Sequence, residues 1–527
     1  MTAQEAPSRF GAHDVVDALV DAGVTVFFSN PGTSEIHLVS AIDTNEKARS
    51  VLCLFEGVAT GAADGYARAT GNPAAVLLHL GPGLANGLAN LHNAYKARTP
   101  MVVLVGEHAS SHLQFDSPLR SDLDSLAGYA AKRVFHMHPG DDLGAIMRSA
   151  AAECRALPQA PVVVVANADV MWSASKGSTF PVAAAPAASA PVAPVAAAAT
   201  AVLRSGNAVM LLGGQALSAQ GLKLADSIAQ ATGCALMVET FNARHERGTG
   251  VPAVARLPYF REMAADKLAA CKGLVLAGSR LPVAFFGSPG ERSELAPLAA
   301  EIVDLGADTS PLDLLSAIAN AVGAAQPPRT AARAMADLPV GLLIPKAIWA
   351  VVNRFMPEGA IVSEEAGVTS VGADDALASA ELHTWMNLTG GSICQGLPLA
   401  LGAGVGRPDA KVFAFQGDGA GMYTVQALWS QAREQADVVN VIFRNDRYAI
   451  LDHEVKRHGL PKLGPKGGAM FELSRPSLDW VQLAGSMGVR AESVSTAEEF
   501  AKAFEQAANK PGPCLIEVIL APPRARA

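Results

Sequence analysis

Two short clusters of polar residues in apolar surroundings have the residue types and spacing for chemistry. The first is Gln416-Gly417-Asp418-Gly419-Ala420, at the C-terminal end of the apolar run Val412-Phe413-Ala414-Phe415. Ligands of open α/β sheets lie at such carboxyl ends. The glycines let the backbone approach a phosphate closely, and a helix expected to begin near Thr424 offers free N–H groups. Asp418 adds a hard oxygen for a divalent cation, since Mg2+ commonly takes one or two carboxylates plus substrate phosphates. Twenty-seven positions on, past a helix and a strand expected over 438–443, comes Arg444-Asn445-Asp446-Arg447-Tyr448. Adjacent parallel strands would set Asn445 beside Asp418, with its side-chain carbonyl as a second metal ligand. A lone Gly-Asp-Gly also reads as an ordinary strand-end turn; the order strand, Gly-Asp-Gly, helix, strand, Asn is far more specific. The second cluster is Leu52-Cys53-Leu54-Phe55-Glu56-Gly57-Val58-Ala59, one glutamate between a strand-like run and a small-residue helix. By composition alone, Glu56 reads as a surface carboxylate at a strand end.

These residues need a scaffold, and short apolar runs alternate with helical periodicity along the chain, as in doubly wound parallel α/β layers. Near the N-terminus, 14–22 reads as helix, 24–29 as strand and 34–42 as helix, with Asn30-Pro31-Gly32 as the turn. Buried strands are expected over 75–79, 101–106 and 162–166, then 208–213 and 273–277, and finally 360–363, 411–416, 438–443 and 514–518. An Ala/Pro-rich stretch, 173–200, reads as a linker, and a proline-rich region follows residue 326. The expected organisation is an α/β chain of three doubly wound parallel-sheet domains, 1–172, 201–330 and 340–527.

Composition excludes several classes. The chain has 527 residues, half of them apolar and 17% charged, so it is not a disordered polyelectrolyte. Its formal charge of −8, with neither sign in blocks, argues against a nucleic-acid partner. Six scattered cysteines without a CxxC pair read as reduced thiols, and MTAQEAPSRF has no apolar signal core, so a cytoplasmic protein is expected. A membrane helix is not expected over 181–202, where Pro181, Pro186, Pro191 and Pro194 would break it.

The span from Gly417 to Asn445 resembles the signature of thiamine diphosphate enzymes. The resemblance implies Mg2+ held by Asp418, Asn445 and the backbone carbonyl of Arg447, with Gly419, Ala420, Tyr448 and Ala449 beside the cofactor. Ala420 stands where that family often has serine, and Arg444 and Asp446 replace a frequent asparagine and glycine. Such enzymes need a carboxylic acid at N1′ of the aminopyrimidine, in apolar surroundings that disfavour its charge. Glu56 fits, because Ala62-Ala63-Asp64-Gly65-Tyr66-Ala67-Arg68 closely resembles the family's Ala-Asp-Gly-Tyr-Ala-Arg. Asn30-Pro31-Gly32-Thr33-Ser34-Glu35 resembles its first loop, placing Thr33 near the substrate; Gly81-Pro82-Gly83 with Asn86 and Asn90 resembles its glycine turn. Gly390-Gly391-Ser392-Ile393 resembles the segment gripping the aminopyrimidine. There Gly391 would offer its carbonyl to the 4′-nitrogen and Ile393 would hold the cofactor bent, with Glu365 bordering the diphosphate. The implied domains are pyrimidine-binding, central and diphosphate-binding. The implied assembly is a homodimer or homotetramer with active sites shared between subunits.

The same family resemblance frames the reaction. Decarboxylation of a 2-oxo acid leaves an enamine. Protonation then gives an aldehyde, attack on a second carbonyl gives an acetohydroxyacid, and a flavin or other oxidant gives an acid. His79, ending a strand before Gly81, resembles the proton-relaying histidine of benzoylformate decarboxylases. Their second histidine has no counterpart around Leu281 to Gly287. Gly81-Pro82-Gly83 and Leu388-Thr389-Gly390-Gly391 look like the acetolactate synthases, but the basic segment after their first domain is missing. Gly213-Gly214 faintly suggests a nucleotide turn and fits a packing turn better, so FAD is not expected. By position His108, His112, Gln114, Ile450, His453 and Glu454 are substrate-pocket candidates, of which His112 and Ile450 are taken forward with Thr33 and His79. The expected activity is benzoylformate-like decarboxylation with possible carboligation. The alternatives are an acetolactate synthase-type carboligase and an inactive thiamine-binding paralogue with a regulatory role; the presence of Glu56, Asp418 and Asn445 opposes the latter.

Overall fold

The computed structural model describes residues 9–177 and 192–520. The first sheet contains β1 (Val26–Asn30), β2 (Arg49–Leu52), β3 (Ala74–Leu78), β4 (Met101–Glu107), β5 (Arg133–Met137) and β6 (Pro161–Asn167), in the order β2-β1-β3-β4-β6-β5. The middle segment supplies β7 (Ala208–Leu212), β8 (Ala235–Val238), β9 (His245–Arg247), β10 (Gly273–Ala277) and β11 (Glu301–Asp304). Four of these form a sheet ordered β11-β10-β7-β8. The last segment adds β12 (Ala360–Glu365), β13 (His383–Asn387), β14 (Val412–Gly417), β15 (Val438–Arg444), β16 (Arg490–Val494) and β17 (Cys514–Ile519). Its sheet, β16-β17-β15-β14-β12-β13-β9, borrows β9 from the middle segment as an antiparallel edge. All other ladders are parallel, so each sheet aligns its strand ends for ligands.

Fully apolar strands such as β4 and β6 are buried along their whole length, as parallel strands covered on both faces must be. The expected linker ends in a helix. Residues 178–191 lie outside the described residues, whereas Ala193–Arg204 is a helix packed into the central core. Alanine is the strongest helix former, and Pro194 is tolerated in the first turn, so the composition that reads as a linker also builds a helix.

One contact sets the relation between the first and last sheets. The helix Glu56–Thr70 lies directly on the helix Gly396–Gly406, and their residues share one core. A Cβ at Gly65 would stand 2.0 Å from the Leu399 carbonyl oxygen, and one at Gly402 would stand 1.8 Å from that of Ala62. The small residues let the two backbones touch, which fixes where Glu56 begins its helix.

Candidate active site

At the first sheet, β2 ends and Glu56 opens its helix, half-buried, with its Oε2 accepting from Asn86 Nδ2 at 3.0 Å. Asn86 stands on the helix Leu80–Lys96, and His79 at the end of β3 is its N-cap. His79 Nδ1 lies 2.8 Å from Oε2 of Glu35. Glu35 is wholly buried and also accepts the Gly32 N–H at 2.8 Å. Burial pushes the Glu35 carboxyl above its usual range, against the opposing pull of the Gly32 N–H and His79. Gly32 makes room for the imidazole, since a Cβ there would stand 2.3 Å from the ring. A Cβ at Gly83 would lie 3.5 Å from both Glu56 Oε1 and His79 Cβ, so both side chains approach one glycine. In this chain Glu56 is half-buried and its hydrogen-bond partner is the Asn86 amide.

At the third sheet, Asp418 begins a short helix, Asp418–Gly421, directly at the end of β14 rather than near residue 424. Extended Gly417 turns the chain into it, so the N–H groups stand at the strand end itself. The register Gly417↔Phe443 between β14 and β15 brings the 444–446 loop alongside. Asp418 Oδ2 accepts from the N–H of Asp446 at 2.7 Å and of Asn445 at 3.2 Å, and Oδ1 from Gly419 at 2.9 Å. Burial raises the Asp418 pKa against these bonds, and the nearby Asp446 charge adds to the rise. Asn445, whose N–H bonds Asp418, accepts the Arg447 N–H on Oδ1 at 2.9 Å, so the two residues stand side by side. Arg447 directs its guanidinium to Asp452, and its carbonyl accepts the Ala449 N–H at 3.0 Å. The Tyr448 ring covers Gly419, and Tyr448 caps the helix Ala449–Arg457. Ala420 sits in the short helix without a hydroxyl. Among the described residues no three His, Cys, Asp or Glu side chains converge, which excludes a soft or all-carboxylate metal cage there. One carboxylate plus amide oxygens at a helix N-terminus fits Mg2+ completed by phosphate oxygens.

Between these clusters runs the segment 387–396. Arg68, paired with buried Asp64, donates to the Asn387 carbonyl at 2.9 Å and to Thr389 Oγ1 at 2.9 Å. Asn93 donates to the Ser392 carbonyl at 2.8 Å, Asn90 to that of Cys394 at 3.1 Å, and His92 lies 3.1 Å from that of Gly390. The Asp-Gly-Tyr-Ala-Arg motif and the two asparagines therefore work as a clamp that anchors Gly391 and Ile393 to the first sheet. Gly391 has a φ of +75°, and the Phe285 ring fills the space where a Cβ would stand. Ile393 is half-buried. Glu365, at the end of β12, accepts from the N–H of Gly396 at 2.7 Å and Cys394 at 2.8 Å, and from Gln416 at 3.0 Å. Burial still raises its pKa.

Thr33 and His112 share a cavity of about 510 Å³ with His37, His108 and Trp172. Ile450 is 36% exposed and lies in the third-sheet cluster. Among the described residues no hydrogen bond joins the Glu56–His79 cluster to the Asp418–Asn445 cluster within one chain. Asn93 and Phe285 are site neighbours that sequence reasoning did not single out, and Glu35 was named only as the end of the first-loop motif. Glu35 was visible only as the third residue after Gly32, where a side chain can turn back to that N–H.

Several known proteins are similar to this chain. The thiamine pyrophosphate enzyme N-terminal binding domain matches residues 9–134, and the C-terminal binding domain matches residues 365–518. The protein IlvX of Mycobacterium tuberculosis, whose name provisionally assigns it to the acetolactate synthase large subunits, is 47% identical across 97% of this chain and 99% of its own. The benzoylformate decarboxylase of Pseudomonas aeruginosa is 28% identical across 94% of this chain and 96% of its own. The thiamine diphosphate-dependent 4-hydroxybenzoylformate decarboxylase of Rhodococcus jostii shares the fold at a TM-score of 0.84, with 24% identity over 98% of this chain and all of that one. With both binding domains in order and a relative matched along nearly its whole length, the chain belongs to the thiamine pyrophosphate-dependent enzymes.

Proposed function

We propose that the protein is a thiamine diphosphate- and Mg2+-dependent decarboxylase of 2-oxo acids, with benzoylformate-like substrates and a capacity for carboligation. The observation that carries this reading is His79, held on a buried carboxylate and facing the same glycine as Glu56. When bound, thiamine diphosphate supplies the electron sink for loss of CO2. The chain supplies the rest. Asp418, Asn445 and the Arg447 carbonyl would hold Mg2+, and the short helix opened by Asp418 would face the diphosphate. Glu56 keeps Oε2 on Asn86, which would leave Oε1 for the aminopyrimidine. Glu35 fixes the His79 ring through Nδ1, leaving Nε2 to hold or deliver a proton. Gly391 and Ile393, on the segment that Arg68 and Asn93 hold, would grip the aminopyrimidine, and Thr33, His112 and Ile450 would face the substrate.

Residues 1–172, 201–330 and 340–527 are read as pyrimidine-binding, central and diphosphate-binding domains. The assembly is read as a homodimer or homotetramer with active sites shared between subunits, as the family resemblance implies, and the protein as cytoplasmic. A second reading, an acetolactate synthase-type carboligase, is favoured by the name of the 47% identical relative. Glu56→Gln tests the core of the proposal. The variant should bind the cofactor yet slow exchange of its C2 proton by at least about tenfold. Unchanged exchange would remove Glu56 from cofactor activation.

A further inference from the structure

The central sheet carries a feature that neither reading uses. Its strand order reverses between β7 and β10, and a doubly wound sheet takes a nucleotide at that switch point, with phosphates on the N–H groups of the first glycine turn. Gly213-Gly214 follows β7 at that place, on a cavity of about 840 Å³ bordered by Arg98, Arg280 and Thr309. A flavin dinucleotide, raised by the acetolactate synthase resemblance, would need those donors for its diphosphate. The Gly213 N–H is already bonded to the Ala277 carbonyl at 3.0 Å. Glu239, just after β8, turns back onto the turn, and a Cβ at Gly213 would stand 2.5 Å from its Oε1 and 2.6 Å from Ser279 Cα. The backbone N–H groups of Gly214 and Arg280 lie near enough to favour its charged form. The turn after β10 closes the other side, where a Cβ at Gly278 would stand 2.4 Å from the Gly213 carbonyl oxygen. In a dinucleotide site an acid after the second strand faces a ribose; here it sits at the glycine turn instead.

We infer that the Glu239 carboxylate occupies the phosphate position of the central domain as a built-in anion, closing that domain to flavins and nucleotides. Arg98 and Arg280 then act as counter-charges to Glu239 rather than as a vacant anion site. Arg98 sits in the left-handed region at φ +55°, a conformation that its surroundings must hold in place. Burial is the largest influence on Glu239 and raises its pKa to about 7, so at pH 8 it is chiefly ionised and repels a second anion.

The inference does not depend on which reaction the enzyme performs. Calorimetric titration of the full chain at pH 8 with FAD, and separately with ADP, tests it. The natural protein should bind neither, and should carry no flavin when purified. Glu239→Ala and the isosteric Glu239→Gln each remove the anion, and at least one should gain ADP affinity by about tenfold or more. Flavin retained by the natural protein, or tight binding of either probe to it, would overturn the inference. So would folded variants, judged by unchanged circular dichroism and melting, that bind ADP no better than the natural chain. If Glu239→Ala fails to fold, Glu239→Gln keeps the shape and decides the matter.

Discussion

Acid should weaken the third sheet through a buried histidine pair, and the size of the effect follows from its surroundings. His383 in β13 is 1% exposed and lies opposite Arg247 of β9. Its Nδ1 donates to the Glu381 carbonyl at 2.8 Å, whereas buried Nε2 has no hydrogen-bond partner among the described residues. A proton on Nε2 would be taken out of water and set near the Arg247 guanidinium. Burial first, and that cation second, lower the His383 pKa from 6.5 to about 3. An unfolded chain binds this proton near pH 6.5 and the folded chain does not until about pH 3, so the contribution is fully present above 6.5 and is lost as pH falls. At about 1.4 kcal/mol per pH unit, His383 alone costs about 2 kcal/mol at pH 5 and about 5 kcal/mol by pH 3. Neighbouring His245 is driven in the same direction by burial and Arg247. The perturbation is His383→Leu, which removes the titration while keeping an apolar side chain. Melting of both proteins at pH 7.5 and pH 5.0 is the assay. The natural protein should lose roughly 4–8 °C more than the variant between the two pH values. Parallel pH profiles would refute the reasoning, because no charge-linked loss could then be assigned to His383.

The site and the scaffold make further predictions. His79→Ala should lower aldehyde formation by about 10²–10⁴-fold while cofactor affinity, measured by calorimetry, stays unchanged. Glu35→Gln should keep the fold and shift the pH profile of turnover, since His79 loses its anionic partner; an unaltered profile would make the pair purely structural. Gly65→Ala should destabilise the protein by about 1–3 kcal/mol, as its Cβ would press on the Leu399 carbonyl; an unchanged melting midpoint would contradict the helix contact. Removing divalent metal with EDTA should abolish thiamine diphosphate retention on gel filtration, and Asp418→Ala should do the same in excess Mg2+.

The placing of Asn445 beside Asp418 was legible because a helix between two adjacent parallel strands brings their carboxyl ends together. Strands such as β14, β15 and β6, buried throughout, were also plain from their apolar runs. Strands with mixed exposure were not. β16 and β11 are mostly exposed, and β13, His-Thr-Trp-Met-Asn, is buried by its neighbours rather than by its own character. β9 crosses to another sheet, a pairing set by tertiary contact that no local pattern announces. Glu35 was hidden for a different reason. A buried glutamate carries no sequence mark until the histidine and glycines that enclose it are brought together. Asp64 and Arg68 read as a family motif, and only the structure gives their work, holding 387–395 against the first sheet.

The central claim is tested most directly by product analysis of the protein with thiamine diphosphate and Mg2+, given benzoylformate and pyruvate in turn. The account predicts benzaldehyde and CO2 from benzoylformate, with that turnover lost in His79→Ala. Acetolactate from pyruvate, with benzoylformate left unreacted, would contradict it and move the protein to the carboligase reading.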